Sequence, residues 1–401
     1  MKRRTFLKAS AVSLASSVFP LGKAKAASEP PSLMKPVQSG PEAKVFLAGV
    51  VRGSAEKVFK NAVREAAEAA TDFSWLSKGD AVFIKPALNS GNPYPATTSP
   101  AAVGTMVALL LEKGAGKVIV GDMSGIEHVK LTPEGVRGSS RLLMKACGMA
   151  EAAVKAGAEL HFPEEAGWNA FHEDMPASGS NWKGGLMMPN ILQEVDHIVL
   201  MPRCARHVLA GSTLGLKAAV GYWRTDTRLE YHRDAATFQE KTAEGNSVVT
   251  LLKKQRLVLT AADKILTSFG PDKGYVMLPE TGLMLASESV VAHDMVSLAW
   301  LLMNRESIPE SEKDMFSDPY ESQFVVTIGN HWVVGKLGGW LAALTPEGLT
   351  RNDINSIWDD RVLNRAYQVL GGRPEINMKT ANRAVPGEVV GRLTEMTTKQ
   401  T

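Results

Sequence analysis

The sequence predicts an α/β fold: a mostly parallel sheet with flanking helices. Three observations predict it. Short apolar runs recur along the chain (KVFLAGVV, DAVFIK, KVIVG, DHIVLM). Stretches rich in Ala, Glu, Lys and Leu, with helix-forming character, separate the first three of them. Pro and Gly mark many of the boundaries. Strands alternating with helical stretches are the pattern of βαβ units. At 401 residues the chain can bury a large core, as one domain or as two lobes with the site between them.

Residues 1–26 read as an address rather than as part of the fold. Lys2, Arg3, Arg4, Lys8, Lys23 and Lys25 lie there, with no acidic residue. A weakly apolar stretch, Ala9 to Leu21, precedes Ala24-Lys25-Ala26, small residues suited to a cleavage site. Charged region, apolar region and cleavage site stand in the order of an export signal. The run Lys2-Arg3-Arg4-Thr5-Phe6-Leu7-Lys8 resembles the twin-arginine signal. The expectation is a periplasmic or exported protein handled by the twin-arginine machinery. That route carries folded proteins, which raises the expectation of a bound cofactor. Four serines and a proline make the apolar stretch a poor membrane anchor. No later run approaches the roughly 18 apolar residues of a spanning helix, so no membrane span is expected after signal removal.

Residues 27–43 hold Pro30, Pro31, Pro36 and Pro41 and read as a linker. Residues 44–401 form the body, with a helical C-terminal part from about 310 to 401. Lys44–Val51 is the first strand. Ser54 caps a helix running to about Ala70. Asp80–Lys85 is the second strand, stopped by Pro86, and a polar loop follows to Thr98. Ser99 and Pro100 open a helix as cap and first residue, and Gly114-Ala115-Gly116 ends it. Lys117–Gly121, Ala158–Phe162 and Asp196–Met201 are further strands. Lys264–Phe269 and Gly282–Ala286 follow, then an apolar helix, Val290–Leu302, that carries Asp294. Residues 314–350 read as packed helices and loops.

Composition excludes several classes. The formal net charge is +3, from 45 basic and 42 acidic residues. Without the six N-terminal basic residues, the remainder has 39 against 42. A body with no basic surplus argues against a nucleic-acid partner. Two cysteines, Cys147 and Cys204, build neither a disulfide scaffold nor a cysteine-ligated iron–sulfur cluster. No G-x-G-x-x-G, P-loop, G-x-S-x-G or HExxH motif is present.

Ligands of open α/β sheets bind at the carboxyl ends of strands. After the second strand stand Lys85, Asn89, Asn92, Thr97 and Thr98. After the third come Asp122, Ser124 and Gly125, and after DHIVLM come Arg203, Cys204, Arg206 and His207. All three sets would face one rim. The densest stretch is 202–233, with five arginines, Lys217, His207 and His232 against Asp226 and Glu230 alone. Histidine exchanges protons near neutral pH. Arginine forks onto carboxylate or phosphate. Lysine serves as base, point charge or covalent anchor. Each has a bland alternative. His207 is equally a hydrogen-bonded structural histidine, and Asp122 equally a cap. Arg224, Arg228 and Arg233 are equally a solvated face. Lys217, in the apolar run Leu214 to Val220, favours function because burying an unpaired lysine is costly.

The segments VFIKPALN (82–89), ATTSPAAV (96–103), GAGKVIVGDMSG (114–125) and HIVLMPRCARH (197–207) are followed by GSTLGLKAAVG (211–221). Then come the Arg228 and His232 pair and TGLMLASESVVAHD (281–294). In this order they resemble the domain-of-unknown-function family 362, from about Lys44 to Met303. The family has no settled activity. The chain departs from it at Ala87, Arg203, Ala205 and Ala218. Some members carry an iron–sulfur module, which this chain cannot build.

His207, Lys217 and His232 are also similar, in order, to residues of lactate racemases of the nickel-pincer-nucleotide type. That resemblance implies an acid/base role for His207, a covalent cofactor anchor at Lys217 and a metal ligand at His232. The sequence-level expectation is an exported enzyme acting on a small anionic, carboxylate-like molecule. His207, Lys217 and Asp122 would be catalytic. Lys85, Thr97, Thr98, Arg203, Arg206 and Arg228 would bind substrate. The cofactor is unidentified, a nickel-pincer-type or other metal group being compatible. The alternative is a non-catalytic periplasmic binding protein for an anion or a cofactor.

Overall fold

Val82, Phe83 and Ile84 are fully buried or nearly so, as are Val118, Val120 and the whole of His197–Met201 apart from the edge of His197. Strands buried on both faces read as continuous apolar runs, and these pair in parallel. The computed structural model describes residues 38–309 and 354–398, apart from 208, 235, 236 and 269. The architecture below belongs to the compact unit Val37–Thr401. The signal and linker expectations up to residue 37, and the expectation for 314–350, lie outside the described residues.

In chain order the strands are β1 (Ser39–Val51), β2 (Ala81–Pro86), β3 (Lys117–Gly121), β4 (Lys130–Thr132) and β5 (Gly135–Arg137). Then come β6 (Glu159–His161), β7 (Phe171–Asp174), β8 (Leu186–Pro189), β9 (His197–Met201), β10 (Arg203–His207) and β11 (Gly211–Thr213). β12 (Gln255–Leu266), β13 (Val276–Met277), β14 (Thr281–Ser287) and β15 (Arg373–Thr380) complete the set. The main sheet has the order β15-β1-β14-β12-β9-β2-β3-β6, with β10, β11 and β13 beside it. Only β14 runs against its neighbours on this path. The fold is a large, mostly parallel sheet flanked by helices, as the sequence predicts.

Chain order reverses direction at β2. β3 and β6 extend the sheet on one side, and β9 and β12 on the other. The crevice beyond the carboxyl ends of β2 and β9 is therefore a topological switch point, where ligands of such sheets bind.

Several element expectations shift. The Ser54-capped helix is Glu56–Ala70, and its N-cap is Ala55, whose side chain makes no capping bond. Ser99 does cap the Pro100–Glu112 helix, accepting from Ala102 N. The strand expected at Lys264–Phe269 begins at Gln255. The run Arg203–His207, expected as a loop, is a strand continuing β9 past Pro202 and pairing with β11 and β12. Among the described residues of the C-terminal part, two helices, Arg361–Val369 and Gly387–Thr398, flank β15.

An aromatic cluster backs the Thr225–Arg233 helix. Tyr231 stacks on Phe238 at 3.9 Å and on Trp182 at 6.2 Å, and meets Trp223 edge-on at 5.3 Å. Offset and edge-on aromatic pairs of this kind add about 0.5–1.5 kcal/mol each beyond their buried area, which anchors the buried face of the helix, where Arg228 also lies.

Candidate active site

A cavity of about 180 Å³ opens at the switch point. β2 and its following loop contribute Lys85 and Asn89; the loop after β3 contributes Asp122 and, at the exposed mouth, Glu127 and His128. β10 contributes Arg203 and His207. Thr213, Lys217, Gly221, Arg228 and His232 come from the following segment, and Asp272 from the loop after β12. Seven of the ten predicted site residues therefore line one cavity: Lys85, Asp122, Arg203, His207, Lys217, Arg228 and His232.

Thr97, Thr98 and Arg206 do not line it. Thr97 Oγ1 donates to Asn92 O (3.0 Å), and Thr98 Oγ1 donates to Met201 O (2.6 Å) and accepts from Ala87 N (2.8 Å). Thr97 is absorbed within the β2 loop, and Thr98 in tying that loop to β9. Arg206 is buried and donates to the carbonyls of His207 and Gly211, closing the β10–β11 turn. Its charge serves the loop that holds His207.

Lys85 Nζ lies 2.9 Å from Asp122 Oδ1 and donates to Pro86 O at 2.7 Å; both side chains are buried. Asp122 Oδ2 accepts from Leu88 N at 2.8 Å. Burial pulls the Lys85 ammonium below its usual value, and Asp122 opposes that pull. Gly221 packs against this pair so closely that a Cβ there would overlap Asp122 Oδ1 and Lys85 Nζ. Arg228 spends its guanidinium on carbonyls, those of Ser124 (2.5 Å), Met123 (2.7 Å) and Gly221 (2.8 Å). Arg203 donates to the carbonyls of Ala96 and Pro271. Burial lowers both arginines to about 10. The Nε atoms of both, and Thr213 Oγ1, are buried without a hydrogen-bond partner among the described residues.

His207 Nδ1 accepts from two backbone N–H groups, Leu209 (3.1 Å) and Ala210 (3.2 Å). A nitrogen that accepts cannot carry a proton, so the neutral ring holds its hydrogen on Nε2. Burial, then Lys217, Arg203, His232 and Arg206, keep it well below its usual value. Protonating Nδ1 would set N–H against two N–H groups. The backbone thus fixes His207 as a hydrogen-bond donor at Nε2. Burial, Lys217 and Arg228 lower His232 to about 3.

Lys217 sits in the short helix Gly215–Ala218. Asp294, on the Val290–Arg305 helix, caps that helix, accepting from Gly215 N (2.8 Å) and Leu216 N (2.7 Å). Asp294 therefore reaches the site indirectly, through the backbone that carries Lys217. No hydrogen bond or ion pair is made by Lys217 Nζ among the described residues. Burial, then Arg203, Arg228 and Lys85, push its ammonium down to about 7.

The sequence reading missed Thr213 and Asp272. Asp272 accepts from Asn89 Nδ2 and from Ser90 Oγ (2.7 Å), tying the β12 loop to the β2 loop. Its setting, Gly-Pro-Asp-Lys-Gly, reads as a solvent turn. Cys204 lies under the cavity wall rather than in it, and burial pushes its thiol up, away from reactivity.

For a metal, no three His, Cys, Asp or Glu side chains converge among the described residues. A group that brings most of its own ligands asks only one protein donor. His232, whose Nδ1 is buried without a partner, fits that part. Lys217 fits a covalent anchor.

A family model described as "Domain of unknown function (DUF362)" matches residues 82–299. No curated protein matches this chain. Among solved structures, one similar chain is a structural-genomics target from Thermotoga maritima, with 12% identity and a TM-score of 0.41, covering 63% of this chain and 59% of that one. This chain thus spans about 59% of the length of that relative. Another is the lactate racemase apoprotein from Thermoanaerobacterium thermosaccharolyticum, with 14% identity, a TM-score of 0.37 and coverage of 94% and 90%. The family match spans more than half of the chain, including every residue of the cavity described above, and the chain belongs to the DUF362 family.

Proposed function

We propose that the cavity is the active site of an enzyme that moves a proton on a small carboxylate-bearing molecule. The observation that carries this reading is Lys217: an amine with no hydrogen-bond or ion-pair partner among the described residues, its ammonium lowered to about 7, in a cavity with Lys85, Arg203 and Arg228 on its walls. A base works best with a pKa near the operating pH. Lys217 takes the proton. The Nε2–H of His207 donates to the oxygen on which charge develops, and a neutral imidazole acts well as such a donor. The surplus of cations holds the carboxylate. His207 is thereby assigned electrophilic support, not the acid/base role its residue type suggests. Asp122 holds Lys85 in place. If a metal cofactor is bound, Lys217 and His232 are the residues to hold it, and the metal would supply a Lewis-acid centre.

Proton NMR in D2O tests this, with lactate, malate and pyruvate as probes. Wild-type protein should speed loss of the exchangeable C–H signal of at least one probe, and Lys217→Arg should not. Binding of the probes without exchange would favour the non-catalytic binding protein instead.

We also infer that residues 1–26 direct export by the twin-arginine route to the periplasm, on the strength of Arg3-Arg4-Thr5-Phe6-Leu7-Lys8 and Ala24-Lys25-Ala26. The variant Arg3→Lys/Arg4→Lys should remain in the cytoplasmic fraction. Equal export of the variant would sink the inference.

A further inference from the structure

We propose that Lys217 is a carbon dioxide site, its amine adding CO2 to form a carbamate within the cavity. The inference rests on the reading of the cavity as an anion site.

The chemistry is self-contained. The nitrogen lone pair forms the N–C bond. One C=O π pair moves onto oxygen, and the nitrogen releases a proton to solvent through the mouth at Glu127 and His128. No oxidant or second reactant is needed. A side chain that was cationic or neutral becomes anionic.

Three features of the site favour that change of sign. The first is the contrast between half-buried Lys217 and the fully buried lysines. Lys85 has Asp122 at 2.9 Å, and Lys241 has Glu230 at 3.2 Å and Asp234 at 3.1 Å. Lys217 has no acidic partner among the described residues, so nothing there holds its ammonium. Of the carboxylates that line the cavity, Asp122 is engaged with Lys85 and Leu88 N, Asp272 is engaged with Asn89 and Ser90, and Glu127 stands at the exposed mouth. Asp294, behind the short helix, is engaged by Gly215 N, Leu216 N and His293.

The second feature is the set of neighbouring cations. Lys85, Arg203 and Arg228 repel an ammonium and attract a carbamate, so one charge distribution opposes the first and supports the second. A protonated imine with a carbonyl compound would keep positive charge on the nitrogen, and these cations disfavour it. The third feature is a set of unmet donors. Among the described residues, Arg203 Nε, Arg228 Nε and Thr213 Oγ1 are buried with no partner, and His207 keeps a hydrogen on Nε2. Buried donors without acceptors are costly. A carbamate supplies two charged acceptor oxygens on a residue that shares the cavity with all four groups.

The test uses the full-length protein with 13C-labelled bicarbonate at about pH 8 and reads 13C NMR. A carbamate resonance should appear in wild type, disappear in Lys217→Met and disappear in CO2-free buffer. Should Lys217→Met fail to fold, wild-type protein treated with trimethyloxonium and digested should show a methyl carbamate on the peptide carrying Lys217. Absence of both signals, or a carbamate confined to another amine, would overturn the inference. Proton exchange measured in CO2-free buffer separates the two readings. Exchange without any carbamate leaves the proposed function standing and overturns this inference. Carbamate without exchange supports this inference and removes the proposed function.

Discussion

Lys85 and Asp122 form a 2.9 Å ion pair between the carboxyl ends of adjacent strands β2 and β3, with the two side chains 1% and 4% exposed. Breaking a buried pair strands its remaining charge, at about 3–5 kcal/mol. Asp122→Asn should therefore lower unfolding free energy by about that amount in urea titrations. Lys85→Met combined with Asp122→Leu removes both charges and should recover most of the loss. Equal losses for the single and double variants would show that packing, not charge, dominates there.

Gly221 sits against this same pair. Gly221→Ala should force Asp122 and Lys85 apart and cost about 1–3 kcal/mol, the usual range for overpacking. The residue also accepts hydrogen bonds from Arg228 and Met123. Weaker binding of a probe carboxylate should accompany the loss, read by calorimetry.

If Lys217 is the base, its protonation sets the pH profile. Its pKa is lowered to about 7, so the active, deprotonated amine is scarce below that value and dominant above it. Exchange catalysis as kcat/KM should rise about tenfold per pH unit below about 7 and level off above it. A profile flat from pH 5 to 8 would exclude Lys217 as the titrating group.

His207 and His232 act on stability in the opposite compartment of the pH scale. Both are held neutral in the fold, His232 down to about 3, while the unfolded chain protonates them near 6.5. The unfolded state then binds more protons, so stability falls as pH drops below 6.5 and is unaffected by these groups above it. The slope should reach about 1.4 kcal/mol per pH unit for each histidine. His232→Phe, which suits the neighbouring Tyr231 and Phe238 rings, should flatten the slope between pH 6.5 and 5 in denaturant titrations.

Asp294 is a positioning residue for Lys217. Asp294→Ala leaves the N–H groups of Gly215 and Leu216 buried without acceptors, at about 1–3 kcal/mol each. Exchange should fall, and the pH midpoint of the remaining activity should move as the Lys217 helix loosens. A loss of stability with an unchanged midpoint would restrict Asp294 to a structural part.

Much of the site was legible because each polar residue followed an apolar run, and parallel strands bring such ends to one rim. Lys85, Asp122, Arg203 and His207 were found this way. Thr98 and Arg206 carry the same residue types at the same rim, yet their hydrogen bonds go to backbone, which no residue type discloses. β10 was hidden for a related reason. Arg-Cys-Ala-Arg-His has the composition of a loop, and only the pairing with β11 and β12 makes it a strand. Asp272 was hidden by its turn sequence, since its role depends on a contact with Asn89, 183 positions away. The tautomer of His207 comes from two backbone N–H groups and leaves no trace in side-chain identity.

The Tyr231 aromatic cluster turns the cavity into its own optical gauge. Trp223, fully buried, meets the ring of Tyr231, and Tyr231 meets that of His232, which lines the cavity. A charge arriving beside His232 changes the field across that stack. Indole emission therefore follows occupancy without any label, and Trp223→Phe supplies the blank against which the remaining tryptophans are read.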